Sequence, residues 1–213
     1  MKIHVVVQTC PERRELLPHV LDSVRASDID DFEVMEHPEG MPLQDFFLSV
    51  MRRLRDSGAD YGIRMEDDVI VGKHILHNVR TWPALKEDDF GAGWLFASQG
   101  MIGDQMSLRL SKKYRQTYRP TKEIHCALAV LLPVDLLGDQ LYPRMEQAPI
   151  PQDFAMSRSV YSSGMRCYLH WPPLVENMMV PSTRGHVHNK IGHSANGHFD
   201  PDFKRRCTPR ASI

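Results

Sequence analysis

Three consecutive carboxylates, Glu66, Asp67 and Asp68, sit inside an otherwise apolar run, Tyr61 to Gly72, YGIRMEDDVIVG. Like charges this close repel one another unless solvent or a cation neutralises them. Mg²⁺ and Mn²⁺ sites use one or two carboxylates together with substrate phosphates, so the cluster is expected to hold a divalent cation and, through it, a phosphorylated substrate. The plainer reading is an acidic loop that caps the next helix. Read as a strand, the segment would place Glu66 and Asp68 on one side and Asp67 on the other.

Other chemistry-bearing residues are spread along the chain. Asp153 follows a Pro-containing loop in IPQD, at the start of an expected helix, where a negative charge is favoured and an N-cap is an adequate explanation. His186, His188, His193 and His198 fall within STRGHVHNKIGHSANGHFD. Neutral imidazole can ligate a metal, although a tail of this composition also suits a solvated arm, and the spacing matches no structural zinc pattern. Arg109 to Lys122 is locally basic, which fits phosphate, an anionic acceptor or a solvated face.

The elements that must position these residues follow from periodicity. Ile3 to Gln8 reads as a buried strand, and Thr9 with Glu12 as a capping box around Pro11. Leu16, Leu17, Val20, Leu21 and Val24 then recur at helical spacing. The unit repeats, with a strand over Phe32 to Met35, a helix through Phe46, Phe47, Val50, Met51 and Leu54 stopped at Ser57-Gly58, and a third strand over Tyr61 to Met65. Strands alternating with helices imply parallel pairing through right-handed crossovers, which brings the acids to the same sheet edge as the Gln8 to Pro11 turn.

Further on, Ile75, Leu76 and Val79 suggest a short helix, Gly91 to Ala97 a strand and residues 98 to 123 an irregular, substrate-facing excursion. Ile124 to Leu132 reads as a central strand, Gln152 to Tyr161 as a helix stopped near Gly164 and Arg166 to Trp171 as a last strand, while the tail from Pro181 reads as a loop or ligand-bound arm.

Taken together, a first strand followed by TCPERRELLPHVLDSV, an apolar strand ending in EDD, and a late QDF helix followed by a GHS segment resemble a glycosyltransferase of the GT-A fold. The detailed match covers residues 1 to 70 and 150 to 195. The resemblance implies an α/β fold of GT-A type, a Rossmann-like, mixed, mainly parallel sheet with flanking helices in a single domain. Residues 1–97 would form its nucleotide-binding half, 98–180 the acceptor side and 181–213 a tail that contacts metal and substrate.

In that superfamily the acidic triplet is the DxD-type motif, so the resemblance makes Asp68 the metal ligand, with Glu66 and Asp67 assisting at the ribose or donor sugar. It implies His193, with His188 second, as the histidine that completes the metal sphere, and Asp153 as the base that deprotonates the acceptor. The Gln8-Thr9-Cys10 turn would receive the nucleotide base and ribose, and Arg13 or Arg14 would reach a phosphate. The implied activity is a hexosyl- or pentosyltransferase that uses Mn²⁺ or Mg²⁺ to move a sugar from a nucleotide-diphosphate donor to a hydroxyl acceptor, with inversion. Acceptors left open are a glycan, lipid, small molecule, protein or modified DNA base. The alternatives are a sugar-nucleotide nucleotidyltransferase and a non-catalytic nucleotide-sugar-binding module.

Bulk properties and missing motifs narrow the field. The chain has 213 residues, 42% hydrophobic and 25% charged, with a formal net charge of -1. That composition suits a globular protein with a sizeable core and gives no global attraction to nucleic acid or acidic membranes. No stretch reaches the length of a membrane helix, and the four scattered cysteines, Cys10, Cys126, Cys167 and Cys207, form no CxxC pair, so reduced thiols and a cytoplasmic location are expected. Gly91-Ala-Gly93 lacks the rest of a dinucleotide fingerprint, and there is no GxxxxGK[ST] loop or GxSxG elbow.

Overall fold

The computed structural model describes residues 1–96, 118–121, 128–147, 152–180 and 199–205. The expected alternation is present at the N-terminal end: β1 (Ile3–Thr9), α1 (Leu17–Arg25), β2 (Glu33–Glu36), α2 (Leu43–Arg55) and β3 (Tyr61–Met65). Next come β4 (Val69–Val71), α3 (Ile75–Arg80), β5 (Phe90–Trp94), β6 (Tyr118–Thr121) and β7 (Ala129–Pro133). After Pro133, the helical segments Val134–Leu136, Leu137–Leu141 and Tyr142–Glu146 lead to a helix over Gln152–Ser162, then β8 (Arg166–His170) and β9 (Val175–Asn177). Gly58 and Gly164 end the helices before β3 and β8 with φ of 64° and 76°, a conformation in which a Cβ would be strained.

Among the described residues, seven strands form one sheet in the order β2-β1-β3-β7-β5-β8-β6. The pairs β1–β2, β1–β3 and β5–β8 are parallel, whereas β3–β7, β5–β7 and β6–β8 are antiparallel. Only β7 and β6 therefore run against the other five, and the sheet is mixed and mainly parallel, flanked by helices. The expected central strand is β7, lying between β3 and β5. Its reversed direction is where simple βαβ alternation fails: β6 lies between β5 and β7 in sequence, and β7 pairs antiparallel with both of its neighbours.

Both faces of the sheet are covered, and strand alternation distributes the core between them. Val5, Val7, Ile63, Met65 and Leu131 pack with Val20 and Val24 of α1 and Ile75 and Val79 of α3. On the other face Val6, Val130 and Leu132 meet Phe46, Phe47, Val50, Met51 and Leu54 of α2, and Met156 and Val160 of the Gln152–Ser162 helix. Arg64, one step from Ile63 and Met65 along β3, consequently points toward the second face, with its guanidinium carbon 5.7 Å from the Phe47 ring centroid.

Two smaller features frame the site. β4 pairs antiparallel with β9, so the apolar residues after the acids form a two-stranded sheet of their own, separate from β3. Residues 199–205 dock on α3: the Asn78 side chain donates to the Phe203 carbonyl at 2.8 Å and accepts from the Arg205 amide at 2.8 Å.

Candidate active site

The acids occupy a turn between β3 and β4, not a strand. The Glu66 amide donates to Leu128 O, and the Met178 amide donates to Asp68 O, both at 2.8 Å. These bonds tie the turn to the entry of β7 and the exit of β9. Because β1 and β3 are parallel neighbours, with Val7 opposite Met65, their carboxyl ends put the acids beside the Gln8–Pro11 turn. Ligand sites in open α/β sheets lie at such edges.

The turn geometry overturns the strand-based assignment of faces. Asp67 and Asp68 share a partner, while Glu66 stands apart. Arg13 Nη1 lies 2.9 Å from Asp67 Oδ1 and 2.8 Å from Asp68 Oδ2. Asp67 Oδ2 accepts from the Thr9 hydroxyl at 2.7 Å and from the Cys10 amide at 3.2 Å. Both Asp67 oxygens are thus engaged within the protein. The capping-box expectation fails for the same reason: Thr9 turns its hydroxyl to Asp67, and the segment that follows is a single 3₁₀ turn, Pro11–Arg13, without a side-chain cap. A buried carboxylate is a stronger acceptor than any exposed backbone group, so the long-range partner wins.

Asp68 has one oxygen to spare. Its Oδ1 is buried and has no hydrogen-bond partner among the described residues. Burial, and after it the nearby Glu66 charge, push the Asp68 carboxyl up to about 6, with Arg13 pulling the other way. For Arg13, burial opposes the charge, but Asp68 and Asp67 more than offset it and hold the guanidinium firmly protonated. Burial, with the Asp67 charge second, raises the Cys10 thiol, so this cysteine is a neutral wall residue and not an activated nucleophile.

Glu66 belongs to a second network. Arg64, fully buried, donates Nε to Gln8 Oε1 at 2.8 Å and Nη2 to Glu66 Oε1 at 2.8 Å and Gln152 Oε1 at 2.9 Å. It links β1, the acidic turn and the first residue of the Gln152–Ser162 helix. Arg64, a strand-borne arginine next to three acids, is expected from sequence simply to pair with them, and it does so with Glu66; Gln152 is not legible as a site residue, its one signal being its place beside Asp153. Arg14, by contrast, is exposed and pairs with Glu36 at 2.6 Å.

Asp153 is the second residue of the Gln152–Ser162 helix, one position from Gln152, and its side chain lies outside the described set. His188 and His193, Cys126 and Cys207, and most of the basic stretch from Arg109 to Lys122 also lie outside it. Among the described residues no group of three or more His, Cys, Asp or Glu side chains converges as a metal cage. The residues present nevertheless fit a Mg²⁺- or Mn²⁺-type ion at one point: a buried, unpartnered carboxylate oxygen matches a hard cation that takes few protein ligands and fills its sphere with water and phosphate.

No family model matches the chain, and no curated protein matches it. Solved structures do. The mannosyltransferase PcManGT from Pyrobaculum calidifontis, in complex with GDP-Man and Mn²⁺, is similar over 87% of this chain and 58% of its own, with a TM-score of 0.56 and 12% identity. The chain thus spans under two thirds of that protein's length. A197 from STIV is similar over 99% of this chain and 100% of its own, with a TM-score of 0.54 and 10% identity. Among the described residues no helix is long and apolar enough to cross a membrane. With a mixed, mainly parallel sheet, helices on both faces and a polar site at the carboxyl ends of β1 and β3, the chain has an α/β fold of GT-A type.

Proposed function

We propose that this protein is a metal-dependent glycosyltransferase that moves a hexosyl or pentosyl group from a nucleotide-diphosphate donor to a hydroxyl acceptor with inversion. The observation that carries the reading is the buried Oδ1 of Asp68, without a partner among the described residues, at the strand edge where open α/β sheets bind ligands. The Mn²⁺ and GDP-Man bound to the mannosyltransferase of the same fold support a cation and a sugar nucleotide in this role, with Mn²⁺ or Mg²⁺ as the ion.

Asp68 would hold the cation through Oδ1, with His193, or His188, completing its protein ligands; bound there, the ion would supply positive charge to a departing diphosphate. The chain's own residues do the rest. Asp67, fixed by Thr9, Cys10 and Arg13, shapes the turn that receives the nucleotide base and ribose, with Gln8 held at its rear by Arg64. Glu66, held by Arg64, assists at the donor ribose or sugar. Asp153, on the helix anchored through Gln152, takes the proton of the acceptor hydroxyl as it attacks.

The test is a thermal-shift screen of nucleotide sugars with and without Mn²⁺, followed by donor hydrolysis on Asp68→Ala and Asp153→Asn. Donor binding that needs Mn²⁺ and disappears in Asp68→Ala is expected, as is loss of transfer with donor binding kept in Asp153→Asn. Metal-independent binding, or hydrolysis undiminished by Asp68→Ala, overturns the reading.

A further inference from the structure

We propose that Arg13 is a resident cation of the acid pair: it holds Asp67 as a scaffold carboxylate and leaves Asp68 Oδ1 as the one oxygen of the pair offered to an external divalent cation. The inference rests on the metal-dependent reading above and adds a limit to it.

Arg13 Nη1 sits between the two carboxylates, 2.9 Å from one and 2.8 Å from the other, where a cation chelated by both acids would have to stand. The side chains of all three residues are nearly enclosed, with 10%, 7% and 8% exposure for Arg13, Asp67 and Asp68. Arg13 Nε is buried with no partner among the described residues. An arginine accepts that loss only where its charge is strongly held, and here two carboxylates hold it. Both Asp67 oxygens are engaged, Oδ1 by Arg13 and Oδ2 by Thr9 and Cys10.

Two consequences follow from charge and geometry. The guanidinium already neutralises one of the two aspartates, so an incoming ion meets a weaker negative field than two bare carboxylates would give. It also meets a fixed positive charge, which repels it. Both effects lower the affinity for the bare ion and make occupancy depend on the additional phosphate oxygens of a bound substrate. Asp67 stays out of the coordination sphere.

The probe is Mn²⁺ alone, titrated into the full chain and followed by the electron paramagnetic resonance signal of the free ion, for wild type, Arg13→Met and Asp68→Asn, with circular dichroism confirming the fold of each. Arg13→Met is expected to bind Mn²⁺ at least tenfold more tightly than wild type, because the competing cation is gone and Asp67 becomes a second ligand; Asp68→Asn is expected to lose binding. Equal or weaker binding by folded Arg13→Met overturns the proposal while the metal-dependent reading stands. Binding by Arg13→Met with none by wild type supports Arg13 as the resident cation. Silence from both overturns the proposal, while the metal-dependent reading is decided by the Mn²⁺ dependence of donor binding. Should Arg13→Met not fold, Mg²⁺ titration of the wild type watched by carboxyl ¹³C resonances decides: a shift at Asp68 with Asp67 unmoved supports the proposal, and a comparable shift at both overturns it.

Discussion

Arg64 Nη2 donates to Gln152 Oε1 at 2.9 Å, joining β3 to the helix that carries Asp153 across 88 positions of sequence. The same nitrogen reaches Glu66, so one buried guanidinium sets the spacing between the acidic turn and that helix.

Arg64→Met is therefore expected to cost about 3–5 kcal/mol, the range for removing one partner from a buried charged network. It would leave the buried side chains of Gln8 and Gln152 short of a donor. Arg64→Lys should recover only part of the loss, because an ammonium lacks the planar fork that reaches three acceptors. Urea denaturation of the three proteins measures both differences, and equal stability of Arg64→Met and wild type would contradict the role.

Thr9→Val removes the hydroxyl that Asp67 Oδ2 accepts at 2.7 Å while nearly keeping the volume. A loss of about 1–3 kcal/mol is expected, since a charge-assisted bond is broken at a buried carboxylate. If Thr9 were a helix cap instead, Asp67→Asn would not alter the effect of Thr9→Val. The double-mutant cycle of Thr9→Val with Asp67→Asn should show coupling between them.

Gly93 is required by packing. A Cβ built there would stand 2.4 Å from a ring carbon of Trp82, which is itself buried. Gly91 on the same strand would place one 2.5 Å from Val160 and 2.6 Å from Met165. Gly93→Ala should destabilise by about 1–3 kcal/mol through overpacking, and thermal unfolding with a lowered midpoint is the check. The GAG sequence thus reflects close approach of β5 to its neighbours and not a phosphate cradle.

His170 gives a pH dependence remote from the acids. It is fully buried, its Nδ1 donates to Pro172 O at 2.7 Å, and Nε2 faces Arg205 Nη2 at 3.3 Å. That arrangement fixes the neutral Nδ1–H tautomer. Burial, and behind it the Arg205 charge, depress the imidazolium to about 3 against the ordinary 6.5. Between those values the unfolded chain binds the proton and the folded chain does not, so stability rises with pH. The contribution is complete above pH about 6.5 and is lost progressively toward pH about 3. His170→Gln should flatten the stability profile in that window when urea midpoints are compared from pH 4 to 7.

Much of the fold is legible from local pattern. Val5, Val6 and Val7, the Val20/Val24 and Phe46/Phe47/Val50/Met51/Leu54 stripes, and the stops at Gly58 and Gly164 report on themselves, because hydrophobic periodicity and backbone freedom act over a few residues. From these alone the alternation of strands and helices follows, and with it the meeting of Glu66, Asp67 and Asp68 with the Gln8–Pro11 turn. What each polar group does there is another matter. Thr9 could cap or donate across the sheet, and Arg13 could lie on a surface or between two acids; the outcome depends on which buried partner is within 3 Å, at separations of more than 50 residues. The reversed direction of β7 and the β4–β9 pairing are of the same kind, set by the sheet edge available and not by any neighbouring residue. Local pattern is enough to locate where the chemistry gathers; that Asp67 is tied down, and that Asp68 Oδ1 has no partner among the described residues, depends on contacts distant in sequence, because desolvation and charge pairing act only once those partners are in place.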